Sequence, residues 1–492
     1  MENNGEINAA ASSTEYATST GETPSRDTPP TLSLANQDSA DQENDNTNKS
    51  FEEKPARAKF TYHQKATFAS AVLASLASMM AFSIISVFYP IEAKAKGMSP
   101  TVIGLVFSAF AFSSGIGSPI WGKIIPVFGA RFIFLAGAFV TGGCNILFGF
   151  VIDMPTYATF TAFSFAIRLL EGLGTSATLT ASSAIVAFNF PENVGTTVSL
   201  VEMAGGLAFA IGPAIGGVLY DADGFRLPFF VLGGVVLAID VVNFFLLPQT
   251  GNKKEESGPM IRVLSIPAIW VAFLAVAVAA TCFASIDPTL AVYLKKLDFT
   301  VMQISLLFLS FGLPYAIFSV IWGAVADAKK ATRIMIVLGA FGSALFFLFL
   351  GPSPLLNIHS SKLLVILVIP TGTIMISLIV MPTFVDMFSS AEWYGIPTNL
   401  GLSSILSGVW TGAFFVGTLI GPLLGGALTE IYGFAFATTV LAGVLIIVMI
   451  VVCLFGVWEY RCGKGRRVPR SRLEMEANTT NEEQKPLISS DV

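Results

Sequence analysis

Apolar stretches of transmembrane length recur from Ala66 to Trp458 with only short polar breaks between them. A helix needs about 20 such residues to cross the ~30 Å hydrocarbon core of a bilayer. Twelve stretches are counted, at 66–90, 101–121, 132–152, 158–187, 197–220, 228–247, 267–294, 303–325, 332–351, 363–388, 401–428 and 434–458. Few folds remain open to such a chain, because backbone inside lipid must satisfy its hydrogen bonds within the segment, and a helix does so. Composition points the same way. The chain is 53% hydrophobic and 12% charged, and residues 66–458 hold only 15 Lys/Arg and 16 Asp/Glu. A soluble enzyme core is excluded. Cys144, Cys282, Cys453 and Cys462 have neither disulfide-framework nor zinc-site spacing. No nucleophile with its base is visible, so no enzymatic activity, metal or cofactor is expected, and no nucleic acid partner.

The runs fall into a repeated plan. Gly212, Pro213, Gly216, Gly217, Gly224 and Phe225 around the fifth run return as Gly421, Pro422, Gly425, Gly426, Gly433 and Phe434 around the eleventh, an offset of 209. Trp121 and Gly122 return as Trp322 and Gly323, an offset of 201. Six helices used twice predict an all-α membrane protein of twelve transmembrane helices in two pseudo-symmetric six-helix bundles. In transporters built from parallel repeats, the substrate site lies between the halves near mid-membrane. The expected organisation is an acidic disordered tail (1–65), a first bundle (66–247), a linker (248–266), a second bundle (267–458) and a tail (459–492). The first long apolar run begins near Ala66, so no leader peptide is expected. Lys and Arg concentrate in loops retained in the cytosol. Lys123, Arg131, Lys253, Lys254, Arg262, Lys329, Lys330 and Arg333, with six more between Arg461 and Arg472, lie on the side of the termini; Lys94, Lys96, Arg226, Lys295, Lys296 and Lys362 lie opposite. Both termini are therefore expected in the cytosol.

Several motifs carry a family resemblance. Gly323 and Asp327 precede Lys329, Lys330 and Arg333; the matching turn of the first half keeps Gly122, Gly129 and Arg131 but has Pro126 in place of an acid. Arg168, Glu171, Gly172 and Gly174 follow on the fourth helix, and Gly212-Pro213 with Gly216-Gly217 on the fifth. In these features the chain resembles the major facilitator superfamily. Gly137 to Gly143, Thr180 to Ser183 and Ser285 to Leu290 are similar to the vesicular amine transporter group, its polyamine-carrying branch in particular. The resemblance implies a proton-coupled antiporter that moves an organic cation, a polyamine or related amine, into an acidic vesicle or lysosome. Ser78 and Thr411 stand where the monoamine branch has acids, so that branch's chemistry is not simply transferred.

Charges in the apolar runs mark the working residues. Each costs ~2.5–3.5 kcal/mol at mid-membrane, so Arg168, Glu171, Glu202, Asp240 and Asp287 must face a cavity or one another. Glu171 and Glu202 are the proton-coupling candidates, since an enclosed carboxyl can load and unload a proton across a pH step. Glu171, Glu202 and Asp287 are candidate acids for the cation, with Tyr89, Phe311, Tyr315 and Trp410 as aromatic faces. An Arg168–Glu171 pair, or a lock between Arg168 and Glu202, is the competing structural reading. Arg168, Glu171, Thr175, Thr178 and Ser182 form one polar stripe at helical spacing, suited to lining a wet path. Asp240 reads as structural. Arg168, Gly212, Pro213, Gly323, Asp327, Asp386, Gly421 and Pro422 are expected to gate or pack. Glu483, Leu487 and Ile488 form an acidic dileucine pattern of the kind read by clathrin-adaptor sorting machinery. A plasma-membrane multidrug/proton efflux carrier fits the same fifth-helix motif, and a transport-inactive receptor or scaffold is the remaining alternative, one with no need of buried charge.

Overall fold

The computed structural model describes residues 61–86, 89–247, 260–299, 301–356, 358 and 360–462; the side chains of a few helical positions, Asp287 and Pro213 among them, lie outside the described set. Twelve long helices are described: α1 (Tyr62–Ser83), α2 (Pro100–Phe128), α3 (Ala130–Gly149), α4 (Tyr157–Asn189), α5 (Val194–Asp223), α6 (Arg226–Leu246), α7 (Pro267–Lys296), α8 (Val301–Lys329), α9 (Thr332–Leu350), α10 (Lys362–Trp393), α11 (Leu400–Tyr432) and α12 (Phe434–Cys462). Ten are long and apolar enough to span a membrane. The other two, α4 and α5, carry Arg168, Glu171 and Glu202. Polar residues set the helix starts. Thr61 and Thr156 close capping boxes, while Ser99, Ser361 and Asn399 accept from amides of the first turn.

The two six-helix bundles, α1–α6 and α7–α12, repeat one another in detail. The indole of Trp121 donates to the Leu173 carbonyl of α4 at 3.1 Å, and that of Trp322 donates to the Ile374 carbonyl of α10 at 3.2 Å, an equivalence in which both partners are 201 residues apart. The end of the short helix Tyr89–Ala95 is closed by bonds from Gly97 N to Lys94 O and Met98 N to Ala93 O. Asp298 N to Lys295 O and Phe299 N to Leu294 O close α7 the same way. This helix end requires a left-handed residue. Gly97 supplies it at φ +90°, and Asp298, 201 residues later, at φ +58°. Gly129 and Lys330 form a second pair at the same offset, both at positive φ.

Small residues let the helices approach. A Cβ at Gly417, Gly421 or Gly425 would stand 2.2–2.8 Å from the backbone oxygens of Ala277, Thr281 and Ser285, so α11 lies directly on α7. The first-bundle equivalent is α5 on α1, where a Cβ at Gly212 would meet Ser83 Oγ at 2.1 Å. Across the bundles, α2 meets α11 and α5 meets α8. Gly122 lies against Ser404 and Gly408, Gly115 against Val416, Gly195 against Gly323, and Gly206 against Tyr315. Along α5 this seam runs eleven residues from the face predicted to be cytosolic, ~16 Å at 1.5 Å per residue.

Candidate functional site

Two polar centres emerge from this packing. In the first, Arg168 and Glu171, one turn apart on α4, form an ion pair at 2.7 Å (Nη1 to Oε2), and both are buried. Asn145 of α3 donates to the other carboxylate oxygen at 3.0 Å. The guanidinium lies over the rings of Phe110 (4.4 Å) and Phe82 (5.7 Å), so aromatic faces on α2 and α1 complete its surroundings. Its Nε and Nη2 make no hydrogen bond to a described residue. Phe110 in turn meets Phe415 of α11 edge-on at 6.0 Å, which ties this centre to the second bundle. Arg168 therefore neutralises Glu171, not Glu202. Sequence reading missed Asn145, although a lone amide in the apolar run of α3 was a signal for it.

The second centre is built around Glu202. On α5, Gly205 faces Ser75 and Met79 of α1, and Gly206 faces Tyr315 and Ala316 of α8. At 3.6 residues per turn, Glu202 projects between those two directions, toward the seam between the bundles. It is partly buried and has no hydrogen bond or ion pair to a described residue. Phe283 of α7 packs on both Phe311 (4.9 Å) and Tyr315 (5.6 Å), and the latter two rings are buried in the core.

The predicted cytosolic face is fastened by Asp327 at the end of α8. Its Oδ1 accepts from Gly195 N at 2.8 Å, and its Oδ2 accepts from Thr196 N and Thr196 Oγ, both at 2.7 Å. These are first-turn amides of α5, whose own N-cap Asn193 makes no side-chain cap bond. An acid at a helix N-terminus satisfies orphan donors and complements the helix dipole. Pro126 holds the equivalent place in the first bundle and cannot do this; there α11 is capped by its own Asn399, which accepts from Leu402 N at 2.8 Å. Asp386 of α10 accepts from Thr332 and pairs with Arg333, which also pairs with Glu459, so the ends of α9, α10 and α12 are tied together.

Other candidates are dispersed. Tyr89 has no accessible surface and packs among Phe107, Phe148 and Phe160 of the first bundle. Trp410 is buried in the second, donating to Thr383 Oγ at 3.1 Å and meeting Phe384 edge-on. The α4 stripe does not line an open path. Thr175 bonds to Thr141 of α3, Thr178 to the Gly174 and Phe134 carbonyls, and Ser182 to the Ala71 carbonyl of α1, all fully buried. Threonines at helical spacing serve helix packing as readily as water. Asp240 is partly buried, with one oxygen unbonded among the described residues. Gly323 is a close approach, where a Cβ would meet Ser199 Oγ at 2.2 Å. Pro422 lies within α11. The Asp287 and Pro213 side chains, and the sorting residues Glu483, Leu487 and Ile488, lie outside the described residues.

The family model for the Major Facilitator Superfamily matches residues 71–407. The chain belongs to the Major Facilitator Superfamily. It is a transporter of that superfamily, not an enzyme. The MFS-type transporter SLC18B1 of Mus musculus is 33% identical over 425 residues, 86% of this chain and 92% of that protein. The Homo sapiens SLC18B1 is 34% identical, covering 80% of this chain and 86% of its own length. The Homo sapiens synaptic vesicular amine transporter is 26% identical over 72% of this chain and 66% of its own. Among solved structures, the human organic anion transporter MFSD10 (TETRAN) superposes with a TM-score of 0.62 at 16% identity, over 79% of this chain and 99% of that one, a likeness of fold.

Proposed function

We propose that this superfamily member is a proton-coupled antiporter that carries an organic cation, a polyamine or related amine, into an acidic vesicle or lysosome by alternating access. The observation that carries the reading is Glu202: an acid at the seam of two bundles, without an ion pair to a described residue, one turn from Gly206, against which the Tyr315 ring lies with Phe283 packed on it. A carboxylate there attracts an ammonium group, and the rings accept its alkyl stem or its charge. The vesicular amine relatives support the substrate class.

In the proposed cycle, Asp327 holds the cytosolic face shut while the site communicates with the lumen. A lumenal proton neutralises Glu202 and releases the cation. The bundles then rock, Glu202 loses its proton to the cytosol, and the carboxylate takes up the next cation. Each pH unit across the membrane supplies ~1.36 kcal/mol per proton moved. Glu171 exchanges its proton only at the expense of leaving Arg168 uncompensated, which costs about 3–5 kcal/mol in a buried pair. Glu202 is therefore the primary coupling group and Glu171 a conformationally linked one.

Uptake of amines into proteoliposomes with an imposed pH gradient tests the reading. Glu202→Gln, neutral at every pH, is expected to reduce gradient-driven accumulation to the level seen without a gradient. Wild-type accumulation by this variant removes Glu202 from the mechanism.

A further inference from the structure

A cavity of about 370 Å³ opens on the predicted cytosolic face, away from Glu202 and walled by both bundles. The first bundle contributes Phe188 from the end of α4 and Glu192 from the turn before α5; the second contributes Asp327, Lys330, Phe388, Glu392 and Ser403. The volume falls in the range of small-molecule sites. Its floor is apolar, with Phe188 partly buried and Phe388 buried, and its rim is charged.

The rim charges differ in how far they are committed. Asp327 spends both oxygens on Gly195 and Thr196. Glu192 and Glu392, both exposed, make no side-chain hydrogen bond or ion pair to a described residue, and they come from opposite bundles. Lys330 is the one cation among the lining residues. Deeper in the wall, Ser403 is only 3% exposed, yet its hydroxyl makes no hydrogen bond to a described residue. A hydroxyl that lines a cavity and is not spent on the protein can donate to or accept from a group inside it.

We propose that this cavity is a second cation site, distinct from the transport site, that takes an α,ω-diammonium alkane. One ammonium group pairs with Glu192 and the other with Glu392, the alkyl stem lies on Phe188 and Phe388, and Ser403 accepts from a donor within the cavity. Carboxylates from opposite bundles outnumber the one lining lysine and favour two charges joined by a chain over a single ammonium group. The walls come from both bundles, so the site exists only while this face is closed. Its occupant bridges the bundles and holds them together.

Calorimetric binding of 1,4-diaminobutane to the full-length protein tests this in the Glu202→Gln background, which removes the transport site from the measurement. Binding is expected to persist there and to weaken at least tenfold when Glu192→Gln and Glu392→Gln are added; butylamine is expected to bind at least tenfold more weakly than the diamine. A cysteine placed on the cavity wall by Ser389→Cys gives a local readout: the diamine slows its alkylation at least tenfold, as read by peptide mass spectrometry, and butylamine does not. No binding in the Glu202→Gln background, equal binding after removal of both rim acids, or unprotected alkylation overturns the proposal. None of these readouts needs transport, so the failure of proton-driven uptake leaves them interpretable.

Discussion

Asp327→Asn isolates the charge that fastens α8 to α5. The amide keeps one acceptor oxygen in place of Oδ1. Where Oδ2 accepts from Thr196 N and Thr196 Oγ, at 2.7 Å each, the asparagine presents a donor to the Thr196 N–H, while the Thr196 hydroxyl can rotate to accept. A hydrogen bond to a charged group contributes ~1.5–3 kcal/mol net. One is lost outright and the other two lose their charge assistance, at a partly exposed position where water takes over part of the role, which leaves a cost of about 3 kcal/mol. That cost falls on the closed face alone, because once α8 leaves α5 the amides meet water in both proteins. With 1.4 kcal/mol per tenfold, the equilibrium moves about 150-fold toward the face-open form. Spin labels at the exposed Glu192 and Glu392 positions, one on each bundle, report this by pulsed distance measurement. The long-distance population should grow from a minority to dominance in Asp327→Asn. An unchanged distance distribution would refute the claim that this acid holds the face closed.

Three further outcomes follow from the packing. Glu171→Gln leaves the Arg168 guanidinium buried without its counter-charge and should destabilise the detergent-extracted protein by about 3–5 kcal/mol in thermal unfolding, while Arg168→Met combined with Glu171→Leu should recover most of that loss. Gly417→Ala drives a methyl group to 2.2 Å from the Ala277 carbonyl and should cost about 1–3 kcal/mol, against little change for Gly426→Ala, where nothing lies within 4 Å. In cells, replacing Leu487 and Ile488 by alanine should move the protein from internal vesicles to the plasma membrane by microscopy; unaltered vesicular residence would remove the sorting role of the tail.

The twelve helices were legible because lipid demands long apolar runs, and the repeat was legible where both copies kept glycine, proline and tryptophan. Other equivalences were hidden by divergence. Gly97 and Asp298 occupy the same left-handed turn, as do Gly129 and Lys330, yet an acid and a lysine do not resemble a glycine in sequence. The partners of Asp327 were also invisible, since they are mostly backbone amides of Gly195 and Thr196, groups every residue carries. Aromatics were the least legible. Tyr89, Phe311, Tyr315 and Trp410 are all buried, packed side chains; Tyr315 lies against Gly206, one turn from Glu202, and only the three-dimensional neighbours set it apart. The hydroxyl stripe of α4 satisfied the same periodicity as a wet channel but is spent on the carbonyls and hydroxyls of its neighbours.

The unequal capping of α5 and α11 has a directional consequence. With Asn399 serving α11 from within its own chain segment, the flank formed by α2 and α11 holds together through backbone proximity and needs no titratable bolt. The flank formed by α5 and α8 has the same close backbone approach, at Gly195 and Gly323, and adds one borrowed carboxylate to it. The duplicated molecule is thus unevenly fastened, with a titratable bond on one of its two flanks and none of that kind on the other. Glu202 lies six residues beyond Thr196 on that same helix, ~9 Å inward at 1.5 Å per residue, so the charged fastening and the buried acid share one element.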